Sequence, residues 1–135
     1  MSYTIEPYQG RGIEFGQTVF AYRNLHRDQW SIVARDGENK GKVVAHATGA
    51  VIIDAKFVVR EGGRQKVIRT RRKSVHAGVV GTLVDINDPR ITHVLPGTQA
   101  RYNPYQAGTF TLGYTGAPVH TAALVDLAPD GKAYI

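Results

Sequence analysis

The chain contains no cysteine, one methionine and one tryptophan. The missing cysteine excludes disulfides, thiolate–zinc centres and cysteine nucleophiles, and it fits a reducing compartment. No stretch approaches the ~18 consecutive apolar residues of a membrane-spanning helix. The opening MSYTIEPYQG carries Glu6 and no apolar segment, so no secretory signal is expected there. No long run sets apolar residues at helical spacing between caps. A phosphate loop, a dinucleotide fingerprint and a nucleophile elbow are all missing. There is no internal repeat and no low-complexity tract.

What remains is an ordinary globular composition. Hydrophobic residues make up 42% and charged residues 21% of 135 positions, which excludes wholesale disorder and fits one domain over residues 1–135. Fifteen glycines, six prolines and many Thr, Val, Ile and Tyr residues point to strands and turns. Expected strands are 18–25, 29–34, 42–46, 50–54, 56–60, 75–84, 101–105, 108–114 and 119–127. Gly78 and Gly81 suggest a bulge or a close backbone approach in 75–84. Residues 64–73 are open between a short helix, preceded by Gly62-Gly63, and a strand. Residues 1–17 read as an irregular N-terminal arm and 85–100 as a long loop. The expected fold is all-β with at most one short helix. It is a single-domain bent sheet, barrel or sandwich of about eight or nine short strands. Open sheet edges would allow a homo-oligomer.

Charge is concentrated in one place. The chain has 17 basic and 11 acidic residues, a net charge of +6. Residues 60–73, REGGRQKVIRTRRK, hold Arg60, Arg64, Lys66, Arg69, Arg71, Arg72 and Lys73 against Glu61 alone, and carry all of it. Ten basic and ten acidic residues cancel elsewhere. Crowded cations repel one another, and a polyanion relieves that repulsion while releasing its counterions. Five of the seven are arginine, whose planar fork suits phosphate and carboxylate. The bland alternative is a solvated basic edge or loop.

The five histidines, His26, His46, His76, His93 and His120, show no HxH or HExxH spacing, so neither a metal nor any other cofactor is expected. His76 follows the basic run. Neighbouring cations would keep it neutral, as a general base or a ligand-bonding group, unless it is simply a satisfied structural histidine. His46-Ala-Thr48 matches one half of a 2H phosphoesterase motif, but no second HxT exists. Tyr22-Arg23 resembles the first NAD-contacting strand of ADP-ribosyltransferases, but no glutamate follows Glu61. Paired carboxylates are unconvincing, because the aspartates mostly fall in turns. Tyr102 and Tyr105 lie beside Arg101 and Asn103, so a base could stack on either ring while arginine holds its phosphate.

The blocks YRNLH (22–26), WSI (30–32), VVAHA (43–47), GRQKVIRTRRKSVHAGVVG (63–81) and RYNPY (101–105) together resemble a family of small proteins carried by phages, prophages and other mobile elements. The resemblance spans roughly residues 19–135; residues 1–17 and 85–100 are expected to be local elaborations. It brings no activity with it. It implies a host-defence antagonist, a nucleic-acid accessory protein or a small virion component, placed in the bacterial cytoplasm or the virion.

Three readings follow. The first is a non-enzymatic binding protein whose cluster, with Arg23 and Arg101 nearby, engages nucleic acid, a nucleotide ligand or an acidic host protein. The second is a small nucleotide- or RNA-directed enzyme, with His76 as acid or base and Arg71 or Lys73 stabilising phosphate charge. The third is a virion structural or assembly protein whose sheet edges pair with neighbours. No membrane partner is expected.

Overall fold

Alternation along residues 18–23 sets the pattern for the sheet. Val19 and Ala21 are fully buried while Phe20 and Tyr22 stay partly exposed on the opposite face. A strand projects successive side chains to opposite faces, so a half-apolar repeat of two buries one of them. The computed structural model describes residues 3–89, 91 and 97–135. Within them the strands are β1 (Ile5–Pro7), β2 (Thr18–Arg23), β3 (Trp30–Ala34), β4 (Val43–Ala47) and β5 (Ala50–Val59). Helix α1 (Glu61–Thr70) follows, then β6 (Ala77–Val84), β7 (Gln99–Arg101), β8 (Phe110–Leu112), β9 (Pro118–Val119), β10 (Thr121–Leu127) and β11 (Ala133–Tyr134).

They form one bent, open antiparallel sheet in the order β1-β4-β3-β2-β6-β5-β10-β11-β7-β8-β9. The all-β expectation holds, and the strand count among the described residues is eleven rather than eight or nine. The extra strands are short ones that the pattern cannot reveal. The N-terminal segment is not wholly an irregular arm, since Ile5, Glu6 and Pro7 pair with Ala47, His46 and Ala45. The expected loop 85–100 ends in a strand at Gln99, and Arg101 is the last strand residue of 101–105. Residues 50–54 and 56–60 merge into β5. Their apparent break is a bulge, where Asp54 and Ala55 oppose Gly81 alone and Asp54 takes a φ of 49°. A Cβ on Gly81 would lie 2.5 Å from the Ile52 side chain, so the bulge requires glycine across from it.

The bend closes the core. Trp30 of β3 donates its indole N–H to the carbonyl of Ala128, just past β10, at 2.8 Å. In the sheet these two strands are separated by β2, β6 and β5. One apolar cluster therefore holds Ile32 and Trp30 together with Leu127, Ala133, Ala100 and Phe110. Tyr3 adds a second bridge, its hydroxyl donating to Asp126 Oδ1 at 2.6 Å. Burial pushes the Asp126 carboxyl up, and the Tyr3 bond opposes that shift.

Helix α1 fills the connection between β5 and β6, which settles residues 64–73 as helix up to Thr70. Gly62 and Gly63 lie inside its first turn rather than before it. Val67 is its one fully buried apolar residue, worth about 1.5–3 kcal/mol of transfer free energy. A Cβ on Gly63 would sit 2.5 Å from His76 Cβ, so glycine lets the helix approach the start of β6. The N-terminus has no side-chain cap, and Glu61 in the first turn complements the helix dipole instead.

Candidate functional site

The helix divides the basic run into two groups. At its N-terminal end, Arg60 donates weakly to the Val75 carbonyl at 3.4 Å. Arg64 is engaged within the fold: Nη1 donates to Glu61 Oε1 at 2.8 Å and Nε to the Pro104 carbonyl at 3.0 Å. Gln65 also donates to Glu61, and these bonds hold its carboxyl below the usual range. Arg64 thus ties α1 to the loop after β7.

At the C-terminal end, Lys66, Arg69, Arg71, Arg72 and Lys73 are all exposed. Among the described residues none of them forms an ion pair. Lys66 and Arg69 lie three apart on one side of the helix, and Arg72 and Lys73 follow past its end, where they share a hollow with Lys66, so the cations form one basic stripe. The negative end of the helix dipole lies here and offsets part of their mutual repulsion. Arg71 closes the helix in the left-handed region, at φ 60°, with its N–H on the Val67 carbonyl at 2.8 Å. Glycine is the usual residue at this position, and for other L-residues it costs about 1–2 kcal/mol. Its guanidinium stands over the Tyr105 ring, 5.4 Å from the centroid.

A polar hollow of about 500 Å³ among Lys66, Arg72 and Lys73 and an apolar-walled cleft adjoin this end of the helix, and a groove holding no residue of the basic run meets the cleft. The cleft of about 360 Å³ has Val67, Val75 and Pro104 in its lining and Leu25, Tyr105, Arg71 and Lys73 around them. Leu25 is 46% exposed and Tyr105 50%. The longer groove of about 690 Å³ runs along the bend, past Trp30, Arg101, Gln106 and Lys132. The cleft and the groove share Arg23, Ala77 and Tyr102. Arg23 pairs with Asp28 and covers the Trp30 ring at 5.4 Å. Its Nη1 is buried without a hydrogen-bond partner.

Tyr102 and His76 are occupied by each other. His76 is 7% exposed, with Nδ1 2.7 Å from the Ser74 carbonyl and Nε2 2.6 Å from the Tyr102 hydroxyl. A carbonyl only accepts, so Nδ1 carries the proton and Nε2 accepts from Tyr102. The Tyr102 ring stacks on Phe110 at 5.2 Å, and burial raises its hydroxyl pKa. The ring is part of the core wall, whereas Tyr105 remains open. His46 is likewise buried, beside Ser31 Oγ at 3.3 Å and edge-on to Tyr8. His26 and His120 are exposed, and His93 lies outside the described residues. Among the described residues no three His, Asp or Glu side chains are placed to hold a metal ion.

Leu25, with the apolar wall residues Val67, Val75 and Pro104, is a cleft residue that the sequence reading missed. An apolar side chain in the polar turn Asn24–Gln29 was the available signal. Asn24 Oδ1 accepts the amides of His26 at 2.8 Å and Arg27 at 2.9 Å, which fixes this turn.

Fold and charge together define a small all-β protein with one cationic, cleft-bearing face. A family model described as Mycobacterium phage L5 gene 82 protein matches residues 12–135, and the chain belongs to this phage family. It is 40% identical over 119 residues to the Gene 82 protein of Mycobacterium phage L5, covering 84% of this chain and 91% of that relative. The matched span takes in residues 85–100 and begins ahead of the first sequence block. No solved structure matches the chain. No helix among the described residues is long and apolar enough to cross a membrane.

Proposed function

We propose that this phage protein is a non-enzymatic nucleic-acid-binding protein that grips phosphates with Lys66, Arg69, Arg71, Arg72 and Lys73. The carrying observation is that these five exposed cations, gathered at one helix terminus, have no acidic partner among the described residues. An ion already paired inside the protein, as Arg64 is, gains little from a phosphate; these five gain the full interaction. Nucleic acid is favoured over an acidic protein surface by the apolar cleft directly beside the cations, which suits a base next to its phosphate. In an infected host, a protein seated on nucleic acid shields it from enzymes that read the same strand, which is how a host-defence antagonist of this chemistry would act.

The enzyme reading gains no support at His76, whose two ring nitrogens are already committed. Assembly through sheet edges gains none from β1 and β9, which are short and each hold a proline. Fluorescence anisotropy with labelled DNA and RNA across a salt series tests the proposal. The expected log K against log salt slope is about −3.5 on a single strand if all five cations meet phosphates. The triple variant Lys66→Glu, Arg69→Glu, Arg72→Glu is expected to lose the complex. Unchanged binding by that variant rejects the proposal.

A further inference from the structure

The cleft beside Arg71 has features that a phosphate-binding stripe alone does not need. A surface that only tracks a backbone requires exposed cations and nothing apolar. Here two large apolar side chains stand at the cleft, Leu25 and Tyr105, each about half exposed. The backbone that presents each of them is fixed. Leu25 is held by the side-chain-capped Asn24 turn, and Tyr105 has its amide bonded to Asn103 Oδ1 at 2.9 Å. Arg71 occupies a backbone conformation that favours glycine, and it sets its guanidinium on the Tyr105 ring. That pair offers a flat π-surface and a positive charge at one point. Lys73 stands at the same opening, and Val67 and Val75 provide an apolar wall. The volume, about 360 Å³, lies at the small end of the range for small-molecule sites.

Resting on the nucleic-acid reading above, we propose that this cleft takes one unpaired nucleotide. Its base lies on the Arg71–Tyr105 surface against Leu25, and its phosphates meet Arg71 and Lys73. Aromatic rings and arginine planes are the surfaces on which splayed-out bases stack. A base inside a duplex has both faces covered by its neighbours and cannot enter. The preferred partner is therefore single-stranded nucleic acid, and Lys73, which borders both the cleft and the hollow beside it, leads the strand onward to Lys66 and Arg72.

The test compares fluorescein-labelled oligothymidine of about twelve nucleotides, a length single-strand binders cover, with the matched duplex. Wild type, Tyr105→Ala, Tyr105→Trp and Leu25→Asn are titrated at several salt concentrations, with circular dichroism confirming that each variant is folded. The single strand is expected to bind about tenfold tighter than the duplex. Tyr105→Ala is expected to lose about tenfold or more of that affinity with an unchanged salt slope, Leu25→Asn to lose part of it, and Tyr105→Trp to keep it. Competition by thymidine monophosphate at the same site supports the proposal and shows that a free nucleotide suffices. Equal affinity for duplex and strand, or wild-type affinity in both Tyr105→Ala and Leu25→Asn, overturns the cleft proposal and leaves the phosphate stripe standing. An absence of salt-sensitive binding to either probe removes the stripe and the cleft together.

Discussion

The hydroxyl of Tyr102 lies 2.6 Å from Nε2 of His76, and this one bond joins the loop after β7 to the start of β6. It consumes the imidazole lone pair that a general base would need. Tyr102→Phe keeps the ring on Phe110 but leaves Nε2 buried without a partner, which costs about 1–3 kcal/mol. Urea denaturation is expected to show that loss, while oligonucleotide affinity stays at the wild-type value. A large loss of affinity at unchanged stability would return His76 and Tyr102 to the binding site.

Two adjacent glycines are expected to respond with opposite signs. A Cβ on Gly62 would meet nothing within 4 Å, so Gly62→Ala gains helix propensity and stabilises by about 0.4–1 kcal/mol. Gly63→Ala gains the same propensity but drives its methyl into His76 Cβ, a net loss of about 1–3 kcal/mol. Thermal midpoints of the two variants, measured side by side, check the contrast. Equal shifts would mean that the helix does not press on β6 as described.

Arg64 and Arg69 are neighbours in the sequence cluster with different work to do. Arg64→Ala removes the bonds to Glu61 and Pro104 and is expected to cost about 1 kcal/mol or more of stability. Arg69→Ala leaves stability within about 0.5 kcal/mol and lowers the salt slope of single-strand binding by about 0.7. Denaturation and a salt titration on both variants separate the roles.

His46 gives the fold an acid sensitivity. Burial first, and then the Arg27 charge, holds its pKa below the ordinary value of about 6.5, against an opposing pull from Glu6. Below about pH 6.5 the unfolded chain takes up the proton before the folded one does, so stability falls as the pH is lowered through that window. His46→Gln is expected to flatten this part of the curve. Denaturation midpoints from about pH 7.5 to about 5.5 test it, and a variant with the wild-type slope would assign the sensitivity elsewhere.

Much of the sheet was legible because β2 alternates between buried and exposed positions and β3, β5 and β6 are largely apolar runs of five or more residues. β1, β9 and β11 were not, since two or three residues carry no periodicity and their pairing is decided by distant partners. Helix α1 stayed ambiguous because it buries only Val67 fully, so no apolar stripe marks it. The basic cluster was plain from the sequence; its division was not, because Glu61 and Pro104 claim Arg64 only once the chain is folded. Tyr102 and Tyr105 read alike as RYNPY. What distinguishes them is His76 and Phe110, residues far away in sequence that absorb the first ring and ignore the second.

Pro7 in β1 and Pro118 in β9 sit on the two outermost strands of a long curled sheet. Each removes an amide from a rim that would otherwise template a neighbour. At these two described rims, copies of the chain crowded together therefore meet a poor template for zipping into fibres. Lateral growth past Pro7 or Pro118 would have to rest on side chains rather than on a shared backbone ladder.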